Sequence, residues 1–523
     1  MSTTDESRDG YSWYALGVLT LVYVFNFLDR QILAILAEDI KADLGLTDGQ
    51  IGFLYGTAFA VFYAVFGIPL GRLADVWTRR TVISIGLAAW SLMTALSGFA
   101  RSFAHLGIAR IGVGIGEASA SPSAFSLLSD YFPPERRATV MAIYSSGLYV
   151  GAGIGLFIGG WVVDSWNAAW PDGGAPLGLA GWQAAFLVVG TPGLLMALWV
   201  RTLREPVRGA LDASAASAKT PADGSSGIPT EVRPAAVFLR ELATVVPPFT
   251  VASLWRAGAG PGGVTANIVV AIGFAGVAAL LTAWIGDPVQ WYALAAGLYA
   301  TVSWLQNLAL GDRVVFDVIV RTRTLRYSLV GFSLLAFGSY SVGFWTVPYF
   351  LRTFELSAAE AGKMLGLIAA VGGWLGATLG GFGADAWRRR SQGGRLYFCI
   401  VAAVLPMPFV VTMVRTEALA LAYTVAFFAQ VANGIWLGAA ISTVQDLVPP
   451  RMRAVAGAVY LLMLTFVGLA LGPYTVGRIS QATGSLGGAI ETALVANAVA
   501  VVTFVIALRH LATDERRRAV AWG

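Results

Sequence analysis

Charged and metal-binding side chains are scarce in this chain. Of its 523 residues, 12% are charged and 57% are hydrophobic, whereas soluble domains contain roughly a quarter charged residues. The single Cys399 cannot form an internal disulfide, and the two histidines, His105 and His510, stand far apart. The sequence therefore holds no histidine or cysteine cluster that would bind a metal. The composition predicts a polytopic membrane protein with no metal and no cofactor.

Features typical of other protein classes are also missing. The net charge is +5, but the arginines stand in short loops between apolar runs, which argues against nucleic-acid binding. The glycine-rich stretches GVGIGEA and GAGIGLFIGG lie inside apolar runs rather than between a strand and a helix, so they do not indicate dinucleotide binding. The sequence shows no paired nucleophile and base of the kind that would indicate an enzyme. We expect a membrane protein that binds no nucleic acid and catalyses no reaction.

Long uncharged runs predict about fourteen membrane-spanning helices, because a helix needs roughly 20 apolar residues to cross a bilayer. The first six runs lie at 13–36, 50–70, 81–100, 103–130, 138–164 and 182–203. Residues 208–227 are small and polar and predict a flexible linker, 235–246 predict a short amphipathic surface helix, and 264–286 with 289–310 predict a transmembrane hairpin. Six more runs follow at 327–351, 358–384, 396–414, 418–445, 454–480 and 486–508.

These runs divide the chain into seven parts. They are a tail (1–12), a six-helix bundle (13–204), a linker with a surface helix (205–263), an inserted transmembrane hairpin (264–310), a basic connector (311–326), a second six-helix bundle (327–510) and a second tail (511–523). Loops rich in arginine alternate with loops that are poor in it. Because cytoplasmic loops carry the excess of arginine and lysine, both tails are predicted to be cytoplasmic.

Two motifs occur once in each bundle. GRLADVWTRR at 71–80 returns as GFGADAWRRR at 381–390, and DYFPPERRATVMAIY at 130–144 returns as DLVPPRMRAVAGAVY at 446–460. The nearly equal offsets indicate that one half of the protein is a copy of the other. Parallel repeats around a central site at the bilayer midplane are a transporter design.

These motifs resemble known families. The repeated GxxADxxxRR loop, together with Arg110, Gly114 and Gly116 of the fourth helix, resembles the major facilitator superfamily. FNFLDRQIL (25–33), LGLTDGQIG (44–52), the stretch from 110 to 144 and GWQAAFLVVGTPGLL (181–195) resemble the Spinster family in a bacterial form. The resemblance implies an all-α fold of two six-helix bundles in pseudo-twofold repeat. The hairpin at 264–310 departs from this pattern of twelve helices.

A polar stripe crosses the first helix, where Asn26, Asp29 and Arg30 share one helical face. Arg110 and Glu117 share a face of the fourth helix, and at about 1.5 Å per residue Glu117 lies roughly 20 Å along it. The resemblance implies that both helices line a central cavity, so we expect Arg30 to reach both Asp29 and Glu117. Ionised groups at such depth are expensive and usually functional. The structural alternative is a permanent Arg30–Glu117 salt bridge that only holds the two helices together.

In the functional interpretation, Asp29 and Glu117 couple transport to protons. Arg30 is the switch and the substrate anchor, because a guanidinium binds phosphate in a bidentate way and keeps its charge; Arg110 and Asn26 belong to the same site. The remaining cavity wall is predicted to be aromatic and weakly polar, with the alternative that these residues are ordinary core or face lipid: Tyr23, Tyr340, Trp345, Tyr349, Gln430 and Asn433.

The repeated loop motifs are predicted to form a cytoplasmic gate. Its residues are Asp75, Arg79, Arg80, Arg136, Arg137, Asp385, Arg389 and Arg390. The resemblance implies that such clusters latch the two halves together, and we expect Asp75 to pair with Arg80 or Arg137. The alternative is that these charges only set the topology.

The resemblance implies a proton-coupled secondary transporter that works by alternating access in a bacterial inner membrane. Its substrate would be a lysolipid or a sphingosine-1-phosphate-like amphiphile, and its other partners protons and the lipid bilayer; we expect a monomer. The alternatives are a carrier of a small organic anion or drug, an uncoupled facilitator, a passive channel or a transporter-like sensor. The repeat with its paired gates favours alternating access over an open pore.

Overall fold

The computed structural model describes residues 3–171, 174–209, 233–449 and 452–522, and within these ranges the chain is helical with no strand. Residues 210–227 of the predicted linker lie outside them. We call the helices before this gap the first half. They are α1 (Thr3–Leu44), α2 (Asp48–Tyr55), α3 (Thr57–Val76), α4 (Arg79–Ser97), α5 (Phe103–Glu117), α6 (Ala120–Tyr131), α7 (Pro134–Ala169) and α8 (Gly181–Arg201).

The helices after the gap form an inserted segment and a second half. The inserted segment comprises α9 (Pro234–Val245), α10 (Phe249–Arg256), α11 (Gly260–Ile285), α12 (Pro288–Gly311) and α13 (Arg313–Arg321). The second half comprises α14 (Arg323–Phe354), α15 (Ala358–Leu367), α16 (Gly373–Arg390), α17 (Gly394–Val404), α18 (Pro406–Arg415), α19 (Leu419–Gly434), α20 (Trp436–Asp446), α21 (Arg453–Met463), α22 (Leu471–Thr483) and α23 (Leu486–Trp522).

Several predicted spans are broken into two helices in the structure. The fourth divides after Glu117, where α5 ends and α6 begins at Ala120. Two spans of the second half continue through π-helical turns at Ile368–Gly372 and Leu464–Ala470. Conversely, α1 and α23 extend into the regions predicted as tails, beginning at Thr3 and ending at Trp522.

Among the described residues, twelve helices are long and apolar enough to cross a membrane, or thirteen if the bent pair α9–α10 counts as one span. Two of the fourteen predicted spans fall outside this set. One is the fourth, whose two pieces are each too short. The other is α12, which carries Gln290, Gln306 and Asn307 and is less apolar than its neighbour α11.

Helix α1 lies along α7, and this packing fixes the depth of its polar stripe. A glycine row on α7 makes the close approach possible: a Cβ atom at Gly151 would lie 2.3 Å from the carbonyl oxygen of Val24 on α1. Small residues at helix crossings let backbones approach in this way. We call the end of the bundle where α1 begins the terminal face, and the end where α1 finishes at Leu44 the distal face.

Candidate functional site

Arg30 and Glu117 form a buried ion pair between α1 and α5. Arg30 Nη2 lies 2.6 Å from Glu117 Oε2, and the two side chains are 9% and 0% exposed. The guanidinium also lies over three aromatic rings, 4.4 Å from the centroid of Phe59, 4.7 Å from that of Phe27 and 5.3 Å from that of Tyr63. Such cation–π contacts strengthen when the cation is desolvated. Arg30 is therefore held by one carboxylate and an aromatic cradle.

Asp29 does not join this pair, which corrects the expectation that Arg30 would reach both acids. Its carboxyl group is fully buried and faces Trp90 and Thr94 of α4. Within the described part of the chain, neither of its carboxyl oxygens has a hydrogen-bond partner. The reason is helical geometry, because adjacent residues point about 100° apart and only Arg30 can face α5.

Arg110 and Asn26 complete the cluster. Arg110 is fully buried and its Nη1 donates a hydrogen bond of 3.3 Å to the backbone carbonyl of Asp29. Arg30 Nη2 donates a long hydrogen bond of 3.5 Å to Asn26 Oδ1. Among the described residues, Arg110 Nε and Nη2 and Glu117 Oε1 have no hydrogen-bond partner. The cluster thus keeps unused donor and acceptor capacity in a buried place, where leaving it unused is costly.

A central cavity of about 200 Å³ lies between the two halves, with Arg30 in its wall. Gln31 and Tyr55 line it from the first half, and the Tyr55 hydroxyl donates 3.1 Å to Gln31 Oε1. Three of the predicted cavity residues, Tyr340, Gln430 and Asn433, line it from the second half. Trp436 also lines it and donates from Nε1 to Ser339 Oγ at 3.2 Å. Sequence reasoning missed Gln31, Tyr55 and Tyr149, because no motif distinguishes them from core residues.

The other three predicted cavity residues lie elsewhere. Tyr23 stacks on Tyr144 of α7 with 4.5 Å between ring centroids. Trp345 is fully buried and donates from Nε1 to the carbonyl oxygen of Pro473 at 2.8 Å. The Tyr349 hydroxyl donates to the carbonyl oxygen of Val414 at 3.0 Å, towards the distal face. These aromatic side chains serve helix packing, the alternative that the sequence left open.

Arg79 and Arg80 of the first loop motif bind within the first half. Arg79 is 1% exposed and pairs with Asp130 and with Glu205 Oε1, the latter at 2.8 Å. Arg80 donates to the carbonyl oxygen of Leu203. These contacts tie α4 to α6 and to the end of α8.

The partner predicted for Asp75 needs correction. Its carboxylate lies 3.5 Å from Arg72 on the same helix, and Arg208 donates to its backbone carbonyl. Arg137 Nε instead donates to the carbonyl oxygens of Ser129 and Phe132 at 3.0 and 3.2 Å, and Arg136 lies exposed beside it. Among the described residues, the expected pairing of Asp75 with Arg80 or Arg137 is thus replaced by contacts with Arg72 and Arg208.

The ion pairs of the second loop motif centre on Arg395 and not on the predicted Arg389 and Arg390. Arg395, at the start of α17, lies 2.9 Å from Asp385 and also pairs with Asp446. Arg388 lies 3.7 Å from Asp446, while Arg389 and Arg390 are exposed. The motif repeats in sequence, and the ion pairs seen among the described residues join helices of the second half.

The two halves are joined by charge at the distal face, through residues that sequence reasoning missed. Asp48, at the start of α2, accepts hydrogen bonds from Lys41 Nζ at 2.7 Å, from Arg352 at 2.7 and 2.8 Å, and from Ser480 Oγ at 2.7 Å. Arg352 also lies 2.7 Å from Glu38. Because Arg352 and Ser480 belong to the second half, this network joins the two halves at the distal face. Charges at helix ends resemble ordinary loop charges in a sequence, which is why they were not singled out.

This fold and this arrangement define a membrane transporter. The family model for the Major Facilitator Superfamily matches residues 19–473, and the chain belongs to that family. The solved structure of a bacterial homologue of the human lysosomal transporter Spinster has the same fold, with a TM-score of 0.69, 24% identity, and coverage of 96% of this chain and 98% of that one.

The relatives of this chain have names that describe different proteins. An MFS-type efflux pump of Mycolicibacterium smegmatis is 27% identical over 91% of this chain and 86% of its own length. The protein spinster of Drosophila melanogaster is 28% identical over 35% of this chain and 30% of its own length. A probable galactarate/D-glucarate transporter of Bacillus subtilis is 30% identical over 37% of this chain and 41% of its own length. The match to the last two spans less than half of either relative. The predicted superfamily and the resemblance to Spinster are confirmed.

Proposed function

We propose that this chain is a proton-coupled carrier of an anionic amphiphile, such as a lysolipid or a sphingosine-1-phosphate-like lipid, and that it works by alternating access. The observation that carries the proposal is Arg30, which lines the central cavity and pairs with the buried carboxylate of Glu117. With the terminal face cytoplasmic, as the arginine-rich loops favour, the charge network at the distal face would join the two halves on the side away from the cytoplasm.

The ion pair supplies the coupling. When Glu117 binds a proton, it loses its charge and releases Arg30, whose guanidinium then holds the anionic group of the substrate. When the proton leaves, Glu117 recaptures Arg30 and the substrate is displaced. Proton and substrate binding are linked because the deprotonated Glu117 carboxylate and the substrate anion compete for the same cation, and each ligand shifts the population of states by its differential affinity. Asp29 is the second proton-binding group, since it is buried beside Arg110 without a hydrogen-bond partner among the described residues.

The cavity lining favours an amphiphile. One cationic side chain faces it, with amides at Gln31, Gln430 and Asn433. Most of the remaining wall is apolar and aromatic, including Leu148, Ala152, Leu156, Val342, Val347 and Leu365. An amphiphile with its charged head group on Arg30 and its apolar tail along this wall would match both the polar and the apolar part of the lining. Ligand sites of this kind are mostly apolar, with a few polar groups that fix the orientation.

A small organic anion or a drug is the second candidate substrate. It is favoured by the relative named as a probable galactarate/D-glucarate transporter and by the one named as an efflux pump. A sugar diacid carries many hydroxyl groups, and each would need a partner once it leaves water. Such a ligand also carries two carboxylates, whereas Arg30 is the one cationic residue among the described residues that line the cavity, so we place it second. An uncoupled facilitator is the corresponding alternative mechanism.

The test is transport in liposomes that hold the purified full chain, with and without an imposed proton gradient. Lysophospholipid, sphingosine-1-phosphate and glucarate are supplied in turn. Asp29→Asn and Glu117→Gln are compared with the wild type. Glu491→Gln is the matched control, because it removes a carboxylate that is paired with Arg415 at 2.7 Å on the outer surface of the second half.

We expect the gradient to accelerate lipid transport in the wild type and in Glu491→Gln, and to have no effect in the other two variants. Transport of lipid that ignores the gradient in every protein would refute the coupling and leave a facilitator with a structural ion pair. Transport of glucarate alone would refute the amphiphile and favour the second candidate.

A further inference from the structure

The distal tip of the inserted segment contacts the second half through an arginine that in turn lies against the first half. Asp287, between α11 and α12, lies 3.1 Å from Arg478 Nε and accepts a hydrogen bond of 2.9 Å from the Tyr474 hydroxyl. Arg478 also donates from Nη2 to the carbonyl oxygen of Ile285 at 2.6 Å. Arg478 and Tyr474 lie on α22 of the second half. The Arg478 side chain in turn lies against Gly49 of α2, since a Cβ atom there would meet Arg478 Cδ at 2.6 Å.

The middle of α12 fills the crevice between the halves. A Cβ atom at Gly297 would lie 2.4 Å from Phe466 in the second π-helical turn and 2.9 Å from Val61 of α3. Leu294, one turn nearer the tip, belongs to the main core of the protein. α12 is therefore wedged between the first half and the second half. By contrast α11 buries only Asn267 and Ala278 and presents its apolar surface outwards.

The base of the inserted segment is fixed to both halves at the terminal face. Helix α9 packs on α3, and Glu241 lies 4.0 Å from Arg72 of α3. Helix α13 packs on the second half, where Val315 and Ile319 join the core cluster of that half. The inserted segment is thus anchored to both halves at its base, and its tip contacts α22 at the distal face.

The geometry points to a strap. We propose that the inserted segment holds the distal face closed, because its tip positions Arg478 of α22 against α2 while α12 joins α3 to the second half at mid-depth. Opening the distal face separates α2 from α22 and removes the surface against which Arg478 is held. The strap then adds to the free energy of the distal-closed state. The strap goes beyond the proposed function. It can be tested separately, because the populations of distal-open and distal-closed protein can be measured without any substrate.

The test weakens the contacts at the tip and measures the distance between the two halves at the distal face and at the terminal face. Spin labels are placed on exposed residues in the full chain with Cys399→Ala: one pair at the distal face (Ala42→Cys with Ala482→Cys) and one at the terminal face (Glu135→Cys with Gln392→Cys). Asp287→Asn removes the charge and tolerates the backbone, because Asp287 has φ 58° and asparagine adopts the left-handed region readily. Tyr474→Phe removes only the hydroxyl donor. Asp317→Asn is the control, since Asp317 pairs with Arg321 within α13 at 3.3 Å.

For Asp287→Asn we expect the ratio of long to short distal distances to rise about fivefold, the effect of losing a partly exposed ion pair. The terminal-face distances should shorten in step. Tyr474→Phe should move both distributions in the same direction by less, and Asp317→Asn should match the wild type. Unchanged distributions in both tip variants, with the protein folded, would overturn the strap. An equal shift in Asp317→Asn would overturn it as well, since the effect would then be unspecific.

Discussion

The charge network at the distal face makes a quantitative prediction for Asp48→Asn. Asp48 is 6% exposed and binds Arg352 and Ser480 of the second half as well as Lys41 of the first. Asparagine has nearly the same shape but no charge and one acceptor oxygen fewer. The substitution therefore leaves Lys41 and Arg352 facing each other without the anion between them.

The size of the effect follows from the contacts that are lost. A hydrogen bond to a charged group contributes about 1.5–3 kcal/mol, and removing one partner of a fully buried pair costs about 3–5 kcal/mol. Arg352 and Lys41 are 26% and 32% exposed, so water screens part of the loss, and Arg352 keeps Glu38. We take about 2 kcal/mol, which corresponds to roughly a 30-fold rise in the ratio of distal-open to distal-closed protein.

Access of a thiol reagent to the cavity measures this ratio. Gly343 lines the cavity, and a Cβ atom there meets nothing within 4 Å, so Gly343→Cys with Cys399→Ala gives one reporter thiol. A membrane-impermeant maleimide is added from the distal side. When opening is faster than labelling, the labelling rate follows the distal-open population. We expect Asp48→Asn to be labelled roughly 30 times faster than its parent.

The control is Glu491→Gln, which breaks an ion pair with Arg415 inside the second half at the same face. It should leave the labelling rate unchanged. If Asp48→Asn is folded and labels at the parent rate, the network does not hold the halves together and the reasoning from its contacts is refuted.

Two further predictions concern folding. Arg79→Gln leaves Asp130 and Glu205 without their buried cation and should destabilise the fold by about 3–5 kcal/mol, seen as a lower unfolding temperature in detergent; an unchanged temperature would contradict it. Gly151→Val drives a side chain into the α1 backbone at Val24 and should cost about 1–3 kcal/mol. Gly17→Val, where a Cβ atom meets nothing within 4 Å, is its control in the same unfolding measurement, and equal effects would contradict the packing argument.

The parts of the fold that sequence predicts are those with a periodic signal. Long apolar runs locate the spanning helices, and two repeated motifs relate the halves, because both patterns extend over many residues. The breaks within helices carry no such signal. Between the end of α5 at Glu117 and the start of α6 at Ala120 the sequence offers one local signal, Pro122 in the first turn of α6, which has no backbone N–H to donate to the preceding turn.

The candidate site was predictable where charge is rare. Arg30 and Glu117 stand out in apolar helices, and the structure places them 2.6 Å apart. The orientation of the Asp29 side chain was not predictable, because the position of a residue along a helix gives the direction of its side chain only to within a turn. In the structure the carboxyl group of Asp29 faces α4. Asp48 and Arg352 were missed because a charge near a helix end is ordinary until its partner, hundreds of residues away, is known.

The π-helical turns at Ile368–Gly372 and Leu464–Ala470 give the two halves different mechanical characters. Both turns lie in the second half, where it contacts α7 and α3 of the first. A π turn fits an extra residue into the helix and interrupts its regular hydrogen bonding, so bending concentrates there. The second half therefore has two points at which its helices bend most readily, and each of them faces a helix of the first half. We expect part of the deformation during a transport cycle to be taken up by these two short segments.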